Sequence, residues 1–366
     1  MKLAIVCSWL NQYGGAERVL EVIHDMYPEA PIYTSIYAPE ALPERYRDWD
    51  IRPSFLNRLP LIRRRPQPYL PLYPLGFESL DLRGYDVILS LTSAFAHGVI
   101  TSAETQHVCY CLTPARFLWN YYAYIEREGV GRLARTALLP FLKSLRQWDH
   151  AAAERVDRFI AISRTVQRRI DKYYRRPSDI IYPPVDTDYE VCQDPPGDYY
   201  LVVSRLVPYK RIDLAVRAFN ELGLPLKIVG EGRDRAALQA IAGPNIEFLG
   251  YVSDEEKRDL MAHCRAFLFP GEEDFGLTPL EAMAMGRPAI AYAAGGALDT
   301  LEEGRTGVYF REATPESLAD AVRRLEKLTF DPHELHRHAQ TFGVPRFRQE
   351  LAAALEQAYA TARGER

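Results

Sequence analysis

This sequence predicts an α/β fold of two doubly wound domains, each a parallel sheet covered by helices on both faces. Three observations carry that prediction. Short apolar runs rich in Val and Ile recur along the chain. Helical stretches of roughly 8–15 residues lie between them. The whole alternation then occurs a second time. Strands that are apolar on every residue, rather than on alternate ones, are buried on both faces. With 366 residues, 47% of them apolar, the chain is long enough for two cores at roughly 100–200 residues per domain.

In order, the strands expected in the first half are LAIVCS (3–8), PIYTSIY (31–37), DVILSLTS (86–93), QHVCYCL (106–112) and RFIAIS (158–163). Those of the second half are YYLVVSRL (199–206), LKIVGEG (226–232), IEFLGYV (246–252), AFLFPG (266–271) and PAIAYAAGG (288–296). The helical stretches RIDLAVRAFNEL (211–222), RAALQAIA (235–242), DEEKRDLMAHC (254–264) and TPLEAMAM (278–285) separate the latter set. Residues 179–198 hold four prolines and no helical period, so a linker is expected at 181–198, between a domain of 1–180 and one of 199–344. Residues 345–366 read as an amphipathic helix that either closes the second domain or crosses back to the first.

The net charge of −4 gives no case for nucleic-acid binding. The charge is uneven: residues 1–180 hold 24 Lys and Arg against 19 Asp and Glu, and residues 181–366 hold 21 against 30. A basic first half suits an anionic surface or ligand, with chance asymmetry as the alternative. Five scattered cysteines without a CxxC pair fit a reducing compartment. The N-terminal MKLAIVCSWL reads as a first strand, because a glycine turn and a helical pattern follow at once. No apolar run approaches the roughly 20 residues of a spanning helix, so a cytoplasmic location is expected. Residues 51–80 combine the arginine triplet 63–65 with prolines, leucines and aromatics. That mixture suits peripheral contact with the anionic inner face of a plasma membrane, or an irregular folded region with a solvated charge cluster.

The chemistry concentrates in GEEDFGLTPLEAMAMG, residues 271–286. Thr278, Pro279 and Glu281 spell a capping box at a helix start, so Glu281 has a purely structural reading. The same helix start turns backbone N–H groups near Gly276 and Leu277 toward the end of the preceding strand, a favourable place for phosphate. Glu273 and Glu281 would repel phosphate unless they bind something else, and hydroxyl groups are the natural partners of ionised carboxylates. A ligand with a diphosphate between two polyols satisfies both demands, and a nucleotide sugar is one. Arg205 and Lys210, after the strand YYLVVS, are the candidate diphosphate cations. In the first half, Gly14 and Gly15 make a tight strand-to-helix turn. Neither they nor GEGRDR (230–235) complete G-x-G-x-x-G, which speaks against a dinucleotide dehydrogenase.

These pieces resemble the retaining glycosyltransferases of family 4, which have the GT-B fold of two Rossmann-like domains facing across a cleft. SRLVPYKRID, IVGEG, IEFLGYVSDEE, PGEEDFGLTPLEAMAMGRPAIAYAAGG and GRTGVYF occur in the family's order. The Glu273-x7-Glu281 spacing is the most specific of them. YGGAERVL and LSLTSAFAHGVITSAETQHVCYCLTPARFLWNYY match in the first half and resemble bacterial mannosyltransferases of polysaccharide assembly. The resemblance implies that Glu273 contacts the donor sugar and Glu281 the ribose. It implies that Arg205 and Lys210 bind the diphosphate, and that the backbone at Phe275, Gly276 and Leu277 contacts sugar and phosphate. The base is implied to lie near Gly250, Tyr251 and Val252, and Gly14 and Gly15 allow close approach of the first domain. His97 is the candidate facing the reaction centre, with an ordinary partly buried histidine as the alternative; Ser93 stands where relatives carry histidine. The implied donor is GDP-mannose, and the implied acceptor a lipid-linked or growing glycan, with no cofactor and no metal. The rival readings are a UDP-sugar donor, a nucleotide-sugar epimerase and a non-catalytic nucleotide-sugar-binding scaffold. The D-x-D triplets at 48–50 and 186–188 and the histidines of 333–338 are expected to be decoys, the latter a solvated helix surface.

Overall fold

A computed structural model describes residues 1–120 and 132–364. The chain divides into two compact units, Met1–Tyr182 with Phe347–Arg366, and Pro183–Arg346. The first holds a seven-stranded sheet in the order β3-β2-β1-β4-β5-β6-β7. Its strands are β1 (Leu3–Cys7), β2 (Ile32–Thr34), β3 (Ile51–Pro53), β4 (Val87–Thr92), β5 (Gln106–Cys111), β6 (Arg158–Ala161) and β7 (Ser178–Ile180). The second holds a six-stranded sheet in the order β10-β9-β8-β11-β12-β13. These are β8 (Tyr200–Val203), β9 (Leu226–Val229), β10 (Ile246–Gly250), β11 (Ala266–Phe269), β12 (Ala289–Tyr292) and β13 (Gly307–Phe310). Every pairing in both sheets is parallel.

The central strands are buried along their length, β1 and β4 on every residue, as a sheet covered on both faces requires. In the second unit Val202, Ile228, Leu268, Ile290 and Val308 meet Leu214, Phe219, Leu318 and Val322 of the covering helices. Strand order reverses between β1 and β4 in one sheet and between β8 and β11 in the other. At such a switch point the outgoing loops diverge and leave a crevice past the carboxyl ends of the strands.

Three departures from the expected elements have physical causes. Edge strands β3, β7 and β13 were not anticipated as strands. The first two are three residues long and partly exposed, so they lack the apolar run that marks a buried strand. The expected linker 181–198 is not free beyond Tyr182: it is tied along the second unit. Val185 donates to the Phe342 carbonyl at 3.0 Å, Cys192 to Met285 at 3.3 Å and Gly197 to His263 at 2.9 Å. Prolines bar a helix there but leave the other backbone donors to find partners. The last helix, Val344–Ala362, lies from Phe347 onward with the first unit. There Phe347 meets Tyr110 edge-on at 5.7 Å, and Arg158 donates to Gln357 at 2.8 Å.

Residues 51–80 form β3, 3₁₀ turns at Phe55–Arg58 and Gln67–Leu72, and the short helix Tyr73–Glu78. Leu56, Ile62, Tyr73 and Phe77 are buried in the core. Phe55, Leu61 and Leu75 are exposed, as are Arg63, Arg64 and Arg65. Among the described residues no helix is long and apolar enough to cross a membrane.

Candidate functional site

The switch point of the second sheet brings together the loops after β8 and β11. After β8 the chain runs through Arg205 to a 3₁₀ turn at Pro208–Lys210. Arg211, with φ of +54°, then opens the helix Ile212–Leu222. Its guanidinium pairs with Asp213 at 3.0 Å, leaving Lys210 as the cation turned toward the neighbouring loop. After β11, residues 270–276 lead to the helix Leu277–Ala284.

The Nζ of Lys210 pairs with Oε1 of Glu273, and both side chains are largely buried. Arg205 donates to the Tyr209 hydroxyl at 2.9 Å, and Lys210 Nζ lies 5.4 Å from the centre of the same ring. The sequence motifs on the two loops are therefore in direct contact. Glycines make this approach possible. A Cβ on Gly271 would lie 2.8 Å from the Lys210 carbonyl oxygen, and one on Gly295, at φ of +64°, would lie 2.1 Å from that of Glu273.

The capping box is not formed. The residue capping the helix is Gly276, at φ of +98° and without a side-chain cap bond, so Thr278 and Pro279 lie inside the first turn. A left-handed glycine permits a sharper entry from the loop than a threonine cap would. Glu281 is instead buried, 4% exposed, with Oε2 3.3 Å from Lys257 Nζ. Lys257 projects from the helix Asp254–His263, whose first turn is capped by the Ser253 hydroxyl. Sequence reasoning missed Lys257. It sits in DEEKRDL, which reads as an ordinary charged helix face, and only the packing of two helices reveals its partner.

Gly250 ends β10, and Tyr251 and Val252 begin the loop from it to that helix. Gly250 has φ of +72° and its carbonyl accepts from Gly230 at 2.7 Å; Tyr251 is 87% exposed. The GEG triplet has a packing reason: a Cβ on Gly230 would lie 1.9 Å from the Ser204 carbonyl, and one on Gly232 2.1 Å from that of Leu206. Phe275 is buried near Phe342, with ring centres 6.0 Å apart. Arg258 lies over the Tyr189 ring at 5.4 Å, and burial together with a hydrogen bond to Asp186 raises the Tyr189 phenol above its usual range.

In the first unit Gly14 caps the helix Gly15–Met26 in an extended conformation, which any residue adopts. His97 is wholly buried. Its Nδ1 is 3.3 Å from the Thr92 hydroxyl, and its Nε2 is 3.2 Å from the Asp149 carbonyl and 3.4 Å from the Asp149 carboxylate. Ser93, by contrast, borders a small cavity with Ser8, Trp9 and Glu17 at the first switch point. The histidine-rich helix is not the solvated surface expected of it. His336 Nδ1 is 2.5 Å from the Ala284 carbonyl and His338 Nε2 2.8 Å from that of Thr300, so two of the three fasten the helix to the unit. In the acidic triplets, Asp50 pairs with Arg52 at 2.6 Å and Asp186 accepts from Tyr189 at 2.6 Å.

Known proteins show the same architecture. The family description "Glycosyltransferase Family 4" matches residues 13–189, and "Glycosyl transferases group 1" matches residues 193–342. The GDP-mannose-dependent alpha-mannosyltransferase of Mycolicibacterium smegmatis is 32% identical over 338 residues, covering 84% of each chain. A glycosyltransferase of Methanocaldococcus jannaschii is 26% identical over 176 residues, so the match spans about half of that relative, 49%. Among solved structures, Anabaena HepE in complex with UDP superposes with a TM-score of 0.70 at 17% identity, over 98% of this chain and 100% of that one. The class these matches define is a GT-B glycosyltransferase. Within it, the chain belongs to glycosyltransferase family 4.

Proposed function

We propose that this enzyme transfers mannose from GDP-mannose, with retention of anomeric configuration, to a hydroxyl of a lipid-linked or growing glycan. The observation that carries the reading is the contact between Lys210 and Glu273 at the β8–β11 switch point. A cation and a carboxylate held together there suit a ligand whose diphosphate adjoins a hydroxylated sugar. Arg205, Lys210 and the start of the helix Leu277–Ala284 would neutralise the departing diphosphate, so that the reading requires neither cofactor nor metal. The backbone of Phe275, Gly276 and Leu277 would line the phosphate and sugar. Glu273 would accept hydrogen bonds from the sugar hydroxyls. Glu281, steadied by Lys257, would accept them from the ribose, and the loop Gly250–Val252 would lie against the base. The bond from C1 to phosphate oxygen breaks as the acceptor oxygen bonds to C1 on the same face, and the acceptor proton passes to the leaving phosphate. Gly14 and Gly15 would lie toward donor and acceptor, and His97, being buried, would support the fold rather than the reaction. The acceptor would be met at the cytoplasmic face of the membrane, with Leu61, Leu75 and Arg63–Arg65 resting on anionic lipid. The mannosyltransferase relative at 84% coverage supports the donor. A UDP-sugar donor is the second reading, favoured by the UDP of the Anabaena structure.

Calorimetric titration of GDP, UDP and ADP into the chain with chelator present tests this. Selective GDP binding, followed by acceptor-dependent loss of GDP-mannose, is the expected result. Selective UDP binding overturns the donor, GDP-mannose conversion without an acceptor points to an epimerase, and binding without turnover to a scaffold.

A further inference from the structure

On the second unit, away from the β8–β11 loops, Cys192, Asp194 and His263 present a thiol, a carboxylate oxygen and an imidazole nitrogen within 4.8 Å of one another. We propose that these three residues form a zinc site, which fastens the segment 183–198 to the helix Asp254–His263. A thiolate, an imidazole and a carboxylate are a borderline-soft donor set that suits Zn²⁺ and not Mg²⁺ or Ca²⁺. A tetrahedral zinc holds its ligand atoms roughly 3.5 Å apart, so modest side-chain rotations close the site. Water would fill the fourth position.

The backbone on both sides is already fixed. Arg287 is 1% exposed; its Nε donates to the Ala262 carbonyl at 2.5 Å and its terminal nitrogen to that of Asp194 at 2.7 Å. One buried guanidinium thus joins the two segments that carry the ligands. Beside it Gly197 N–H donates to the His263 carbonyl at 2.9 Å, and Cys192 N–H to that of Met285 at 3.3 Å. A Cβ on Gly197 would lie 2.6 Å from the His263 oxygen, so glycine is required for this approach. The far side of the ring has a partner as well. His263 Nδ1 lies 2.9 Å from the Asp259 carbonyl and 3.1 Å from its carboxylate, which directs the ring proton there. Metal binding would displace to solvent any proton that Nε2 shares with Asp194 Oδ2, 3.4 Å away, and take up the freed lone pair. A carboxylate behind the ligating histidine is the usual outer partner of a zinc-bound imidazole. Cys192 and Asp194 also line an open cleft with Arg287 and Pro332, a path by which the ion arrives. The other four cysteines are buried, so Cys192 is the thiol a metal can reach. On binding, the Cys192 thiol loses its proton to solvent as the metal–sulfur bond forms.

The test uses the full chain, stripped with chelator and desalted, then titrated with Zn²⁺ by calorimetry and with Co²⁺ by absorbance. The expected result is one metal per chain, with a near-ultraviolet thiolate-to-cobalt band. Cys192→Ser should abolish the band, His263→Gln should lower affinity at least 10-fold, and Asp259→Asn about 10-fold. Metal-free Cys192→Ser and His263→Gln should unfold at the same urea concentration as metal-free wild type, so that lost binding reports a lost ligand. No stoichiometric binding to wild type overturns the proposal; His263 and Asp194 would then be a plain ion pair. A cobalt band that survives Cys192→Ser overturns it too, as does zinc affinity unchanged in His263→Gln.

Discussion

At the scale of single residues, the candidate site is a set of charges whose partners are already chosen. Lys210 pairs with Glu273 and Lys257 with Glu281, so each carboxylate sits beside a cation. Removing a donor that stabilises the leaving charge typically lowers kcat by about 100- to 1,000-fold. Lys210→Ala should do so in a steady-state transfer assay, with a urea midpoint close to wild type. Activity within a few-fold of wild type would remove Lys210 from the diphosphate role. A second residue-scale prediction concerns His107, on β5. It is wholly buried, with Nε2 2.8 Å from the Ser90 hydroxyl and no partner on Nδ1. Burial, then the charges of His97 and Arg155, lowers its pKa to about 3. Because the folded pKa lies below the unfolded value of about 6.5, the unfolded chain binds the proton first. The favourable contribution of neutral His107 is therefore complete above pH 6.5 and is lost as pH falls toward 3. Its slope is at most about 1.4 kcal/mol per pH unit. Urea unfolding of wild type and His107→Gln at pH 7, 5.5 and 4.5 should show a shallower loss in the variant. Parallel losses would mean that this histidine does not titrate between the two states.

At the scale of elements, what positions the site is a set of backbone contacts that only glycine allows. The loop after β11 passes Gly295 and Gly296, whose N–H donates to the Glu273 carbonyl at 2.8 Å. Gly295→Ala would place a methyl 2.1 Å from that carbonyl at a left-handed φ. The conformation alone costs about 1–2 kcal/mol, and the clash displaces Glu273. Thermal denaturation should show a lower Tm and calorimetry a weaker nucleotide affinity; wild-type values for both would contradict this account. Much of this scale was legible in the sequence: the buried strands announce themselves as unbroken apolar runs, and glycine and acid concentrate visibly in the loop after β11. The helix cap lies two residues before the one that the local pattern predicts. T-P-x-E satisfies a local rule, but Gly276 takes the cap because the chain must turn sharply out of the crevice. Lys257 was illegible, since its role depends on a neighbour 24 positions away.

At the scale of the whole molecule, the last helix belongs with the first unit although the second precedes it in sequence. Phe347, Leu351 and Leu355 are buried, and Arg158 reaches the Ala354 carbonyl and Gln357. Deleting residues 347–366 should therefore destabilise the first unit selectively. Hydrogen exchange should quicken in β5 and β6 and remain slow in β11 and β12; equal acceleration in both sheets would refute that division. By itself the sequence determined the class of fold, the two-fold repeat of strand and helix, and the two short segments that carry the candidate charges. Those features rest on local period and composition, which a chain displays before it folds. Only the tertiary structure decided that Lys210 meets Glu273, that Glu281 meets Lys257 rather than its own helix cap, that His97 is enclosed, and that residues 183–198 and the tail pack where they do. Each depends on contacts between residues distant in sequence, and an ion pair, a buried ring or a tight backbone approach leaves no periodic trace along the chain.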